Sequence, residues 1–74
     1  MEDLFYTNIV IDNKETRYHI IFDSEKYSFI PLDPGNRGFS FIREEDTWHA
    51  QDEIEPETLD QALDALEEYL MKQH

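Results

Sequence analysis

Apolar and polar residues alternate with a period of two along most of the chain up to Ala50, and from Pro56 the period becomes that of a helix. Within Pro56–Lys72, the residues Leu59, Ala62, Leu63, Leu66, Tyr69 and Leu70 recur at i, i+3, i+4, i+7, i+10 and i+11, which puts them in one stripe. Pro56 suits the first helical position, where a missing N–H costs nothing. Ile54 and Leu59 stand at the two positions of a hydrophobic staple. Thr58 and Gln61 offer a rival capping box that would move the start by about two residues. A helix of this length spans about 25 Å, enough to lie across a small sheet.

The alternation before it predicts strands at about 4–11, 16–22, 27–32 and 39–43, with 47–50 either a short fifth strand or an extended segment that carries Trp48 into the core. Asp12–Glu15 and Asp23–Lys26 read as polar turns, and Glu44-Glu45-Asp46 ends the pattern of the fourth strand. Pro31 cannot donate to a ladder, so the third strand is expected to end near it or to lie at an edge. Asp33-Pro34-Gly35-Asn36-Arg37-Gly38 is the strongest turn signal, with glycine and asparagine expected to supply positive φ. Parallel crossovers need about a dozen or more residues, and these connections are shorter. The expected fold is therefore α+β: a small antiparallel β-meander of four or five strands with one C-terminal α-helix, at about 56–72, packed across one face of a single domain over 1–74.

Alternation also divides each strand between two faces. The aromatic-rich set, Phe5, Ile9, Ile11, Tyr18, Ile20, Phe22, Phe39 and Phe41, is expected under the helix. The third strand is ambiguous, because Phe29 opposes Ile30 and Leu32 and both sets are apolar. One helix covers one face, yet the other face would hold Leu4, Tyr6, Val10, Ile21 and Ile42, with Ile30 as well if the third strand turns that way, among Asn8, Arg17, His19 and Ser40. That is more apolar surface than a half-solvated antiparallel sheet usually shows, and large exposed apolar patches mark interfaces.

Charge sharpens this picture. The formal net charge is −12, with −3 over residues 1–32 and −9 over residues 33–74. From Glu44 to Asp60 there are eight acids and no lysine or arginine. Such a field repels nucleic acid and anionic membrane and suits a basic protein partner. On the helix, Asp60, Asp64 and Glu68 form an i, i+4 ladder of like charge, relieved by Lys72; it is either a solvated outer face or a docking strip. The chain has no cysteine, so neither disulfides nor thiolate metal sites are expected. No apolar run reaches the roughly 18 residues of a membrane span. The segment from Met1 to Asn8 lacks the features of a signal peptide, and the expected setting is the cytoplasm.

Candidate chemistry is sparse. His49 with Asp52 and Glu53 could offer nitrogen and oxygen to a divalent ion, but their spacing matches no defined site, and a charged loop beside a tryptophan accounts for them equally. The acidic run lacks the central glycine and ligand spacing of a calcium loop. The 33–38 loop lacks the spacing of a phosphate-binding loop. His19, next to Tyr18 and Arg17, has no Ser, Asp or Glu placed by motif as a partner for acid–base work. His74 ends the chain and is expected to fray. No catalytic residue and no cofactor are expected.

The function expected from these residues is that of a small acidic cytoplasmic protein-interaction module without catalytic activity. Its partner would be a protein, basic in charge, or a second copy in a weak homodimer, with no direct contact to nucleic acid or membrane. The alternative is an acidic nucleic-acid mimic that inhibits a basic nucleic-acid-binding protein. A metal-dependent enzyme or metal sensor using His49 ranks last.

Overall fold

Residues 1–73 are described by a computed structural model, and His74 lies outside the described residues. Five strands follow one another: β1 (Glu2–Ile11), β2 (Lys14–Asp23), β3 (Lys26–Pro31), β4 (Phe39–Glu44) and β5 (Thr47–Ala50), and α1 (Pro56–Lys72) closes the chain. The strands pair antiparallel in sequence order, β1-β2-β3-β4-β5, so β1 and β5 are the edges. This is the α+β meander that the alternation predicts, with the fifth strand formed and β3 ending at Pro31.

Three connections are tighter than expected. Asp12-Asn13 (φ 51° and 63°), Ser24-Glu25 (52° and 65°) and Glu45-Asp46 (49° and 67°) are each a pair of left-handed residues between paired strand ends. Two such residues in succession make a type I′ turn, whose twist matches that of the flanking strands. The strands therefore run directly into their turns, and β1 and β2 extend beyond the stretches that alternation marked. Asn and Asp tolerate this backbone, whereas Ser24, Glu25 and Glu45 adopt it at a cost on the order of 1 kcal/mol each.

The loop over residues 32–38 works differently from expectation. Neither its glycines nor Asn36 takes positive φ. Instead, Asp33 organises it: the Gly35 N–H donates to Asp33 Oδ1 at 2.9 Å and the Asn36 N–H donates to the Asp33 carbonyl at 3.1 Å. Gly38 is needed for space, since a Cβ there would stand 2.9 Å from the Phe29 carbonyl oxygen. The Tyr18 hydroxyl donates to the Arg37 carbonyl at 3.0 Å and ties the loop to the core. Burial pushes the Tyr18 phenol above its usual range.

Ile9, Tyr18, Ile20, Phe29, Phe39, Phe41, Ala62 and Leu66 form the core, so the ambiguity of the third strand resolves with Phe29 inside and Ile30 and Leu32 outside. Phe22 was expected in this set, yet it is half-buried against Tyr27 and stands apart from the cluster. On α1 the most buried line is Thr58, Ala62 and Leu66, which turns the stripe by a fraction of a turn and brings Thr58 inside. The helix begins at Pro56, and Glu55 stands at the cap without a side-chain hydrogen bond. Ile54 and Leu59, the two residues at the staple positions, both pack against the core.

Leu66 is fully buried at the centre of this contact. Leu66→Ala should cost about 2–5 kcal/mol, a large part of the stability of a domain this small. Urea unfolding should show the midpoint falling with the slope unchanged.

Candidate functional site

The face of the sheet turned away from α1 is the surface that the fold leaves without a cover. Register places its residues in rows. Asp3, Ile21, Ser28 and Ser40 form one row across β1 to β4. Tyr6, His19 and Ile30 form the next. Asn8 faces Arg17, and Leu32 joins them because its N–H donates to the Arg17 carbonyl at 3.0 Å. Val10 lies opposite Glu15, and Ile42 opposite His49.

Of the five residues expected to make an exposed patch here, only Tyr6 and Val10 are well exposed, at 51% and 48%. Leu4 belongs to the other side. The pairing register shifts between Asp3 and Phe5, so Leu4 is the extra residue of a β-bulge, and it packs against the core beside Phe5. Ile21 does lie on the open face but is buried, at 7% exposure, within the row that runs from Asp3 to Ser40. Ile42 is half-buried. Ile30 and Leu32, at 42% and 54%, take the places that Leu4 and Ile21 vacate. The patch is therefore Tyr6, Val10, Ile30 and Leu32. The sequence signal for the last two was present in the double apolar character of the third strand.

A polar frame holds Tyr6 in place. Its ring stacks on His19 with centroids 4.4 Å apart and planes 7° from parallel. The Arg17 guanidinium carbon lies 5.3 Å from the Tyr6 ring centroid, and Arg17 Nη1 donates to Asn8 Oδ1 at 3.3 Å. His19 Nε2 stands 3.1 Å from Asp3 Oδ1. This frame positions the Tyr6 ring.

The charges are segregated. Asp3, Glu15, Asp23 and Glu44 against Arg17 and Lys26 give the open face a formal −2 of the chain's −12. The opposite side carries Glu57, Asp60, Asp64, Glu67 and Glu68, all exposed, along α1. Lys72 Nζ bonds to Glu68 at 3.1 Å, which leaves Asp60 and Asp64 of the i, i+4 ladder facing solvent.

The metal candidates are not gathered. His49 points to the open face from β5, and Asp52 Oδ2 accepts the Ser40 N–H at 3.1 Å. Glu53 lines a groove with Arg37 and the start of α1. Among the described residues no three His, Asp or Glu side chains come together. Gln61, expected at a helix cap, does something else: its Nε2 donates to the Val10 carbonyl at 2.9 Å and its Oε1 accepts the Val10 N–H at 2.8 Å. Nothing in the pattern around Gln61 announces a partner so distant in sequence.

Comparison with known protein families, with curated proteins and with solved structures finds no match. No helix among the described residues is long and apolar enough to cross a membrane.

The eight acids from Glu44 to Asp60 are all exposed and, among the described residues, meet one cation, Arg43, whose Nη2 lies 3.4 Å from Asp46 Oδ1. Their mutual repulsion weakens as the screening length falls below about 8 Å. The urea midpoint should therefore be higher in about 0.5 M than in about 0.02 M sodium chloride. Equal midpoints would mean that the acids do not strain the fold.

Proposed function

We propose that this chain is a small protein-interaction module of a reducing, cytoplasmic setting, without catalytic activity of its own, and that it self-associates weakly through the open face of its sheet. The observation that supports this is the cluster of Tyr6, Val10, Ile30 and Leu32, exposed in neighbouring rows on the face that carries the least negative charge. Apolar area of this kind stabilises by roughly 25 cal/mol per Å² when covered. A two-fold pairing covers it with its own copy.

The net charge does not oppose that arrangement as strongly as its size suggests. In a face-to-face pair each acidic helix lies on the far side of its own sheet. Stacked sheets are about 10 Å apart and a helix is about 10 Å across, so the helices would stand roughly 30 Å from each other, several screening lengths at physiological salt. Four half-exposed side chains fall short of the roughly 800 Å² per partner of a standard interface, so the affinity is low.

An acidic mimic of nucleic acid is the alternative, and it has its own observation. From Glu57 to Glu68, α1 exposes five carboxylates over about 16 Å, close to the one charge per 3.4 Å or so of a single DNA strand. Asp60→Asn with Asp64→Asn should then release a captured basic nucleic-acid-binding protein, as high salt would, while leaving self-association intact.

Sedimentation equilibrium tests the first proposal. The expected result is association that grows toward millimolar concentration, strengthens with salt, and disappears in Ile30→Asp while the melting temperature holds. A strict monomer at millimolar concentration in low and high salt would overturn it.

A further inference from the structure

β1 is an edge strand, and the way it is treated along its length is uneven. At Val10, the Gln61 carboxamide bonds both the N–H and the carbonyl, at 2.8 and 2.9 Å, in the manner of a neighbouring strand. Those two bonds also fix the phase of the edge. Val10 points its main chain outward, so Asn8 and Tyr6 do as well, because the register is regular from Phe5 to Ile11. Among the described residues nothing else bonds the main-chain groups of Tyr6 or Asn8 that face away from β2. Natural sheets blunt such edges, and here the blunting stops one residue pair short.

Beside this open length, between β1 and α1, lies a groove of about 320 Å³ lined by Phe5, Tyr6, Thr7, Ala65, Glu68 and Tyr69, with Lys72 at its mouth. Phe5 and Tyr69 stack at its end with ring centroids 4.7 Å apart. We infer that the Tyr6–Asn8 edge and this groove take an extended segment of a basic partner protein, added to the sheet as a sixth strand. Main-chain hydrogen bonds to Tyr6 and Asn8 would hold the segment. Its alternate side chains would drop into the groove, which favours an apolar residue there. Gln61 marks where the added strand ends.

Charge selects the occupant. Glu68 stands at the groove and is paired with Lys72, and Asp12, Glu55 and Glu57 lie beside the Val10 end, within a chain of formal net charge −12. A second copy paired through β1 would place both helices on the same side of the joined sheet, with these acidic flanks facing each other. A segment with apolar residues toward the groove turns its alternate lysine or arginine residues to the open face, of formal charge −2, and is steered to the edge by the field of the whole chain. This use of the edge is separate from association through the open face, which leaves β1's outer groups free.

The test uses a defined probe, an eight-residue peptide of alternating lysine and valine, and reads amide hydrogen exchange with binding by calorimetry. On binding, the Tyr6 and Asn8 amides should gain protection while Val10, already bonded, should not change. Methylating alternate backbone nitrogens of the peptide should weaken binding about tenfold or more, the equivalent of losing one or two hydrogen bonds. Asn8→Pro, which removes an outward N–H and leaves the β1–β2 ladder intact, should do the same. Gln61→Ala should extend the protection to Val10. Ile30→Asp should leave all of this unchanged, which separates the edge from the open face. Equal binding of the methylated peptide, or protection of Tyr6 and Asn8 that rises with protein concentration in the absence of peptide, would overturn the proposal. Binding indifferent to salt would overturn its basic character.

Discussion

One helix has to cover five strands, and it is too narrow to do so. Four inter-strand spacings make the sheet about 19 Å wide, against about 10 Å for a helix. The backbone of α1 comes closest to β1. The space over β2 to β5 is filled by side chains alone, and they are large. Tyr18, Phe29, Phe39, Phe41 and Trp48 form a chain of rings with successive centroids between 4.9 and 6.3 Å apart. Aromatic side chains bury more area than any others and keep favourable edge and offset contacts at these distances. The small residues of the helix, Thr58 and Ala62, are buried beside Leu66 on its inner line.

Several local features follow from that arrangement. Phe29 stacks on Phe39 with planes 18° apart, and Gly38 lets the chain pass close to the Phe29 carbonyl on its way into β4. Tyr18 reaches through the cluster to hold the preceding loop by its Arg37 carbonyl, so the ring that fills the core also anchors the longest connection between strands. The two-residue turns keep the meander tight. They also place serine and glutamate in left-handed backbone, a strain that the packing of the sheet must offset.

The same shortage of cover leaves surface on both sides of β1. The open face keeps apolar residues around a braced Tyr6, and among the described residues the outward main-chain groups of Tyr6 and Asn8 have no partner, with carboxylates beside the Val10 end of the same edge. These two surfaces differ in what they would attract. The first is nearly balanced in charge and apolar. The second offers hydrogen-bonding groups and carboxylates. The two surfaces adjoin at Tyr6, which belongs to both.

Much of this was determined by the sequence alone. The change of period at Pro56, the alternation before it and the shortness of the connections sufficed for the strand order, the helix and its buried stripe, because periodicity and turn chemistry are local properties. The charge segregation was half legible: the acidic run was plain, and its separation from the open face needed the register. Three things were decided only in three dimensions. Leu4 went to the core because a bulge inserts one residue and shifts the phase, and alternation read along one strand carries no sign of where its partner's register slips. Phe29 lies inside and Ile30 and Leu32 outside because the register sets Phe29 beside Ile20 and Phe39 of the core, and a strand apolar on both faces carries no sign of that pairing in its own sequence. Gln61 found Val10 across 51 residues because folding laid α1 along β1, and a hydrogen bond between groups so far apart in the chain depends on where the backbone ends up rather than on either residue's surroundings in sequence.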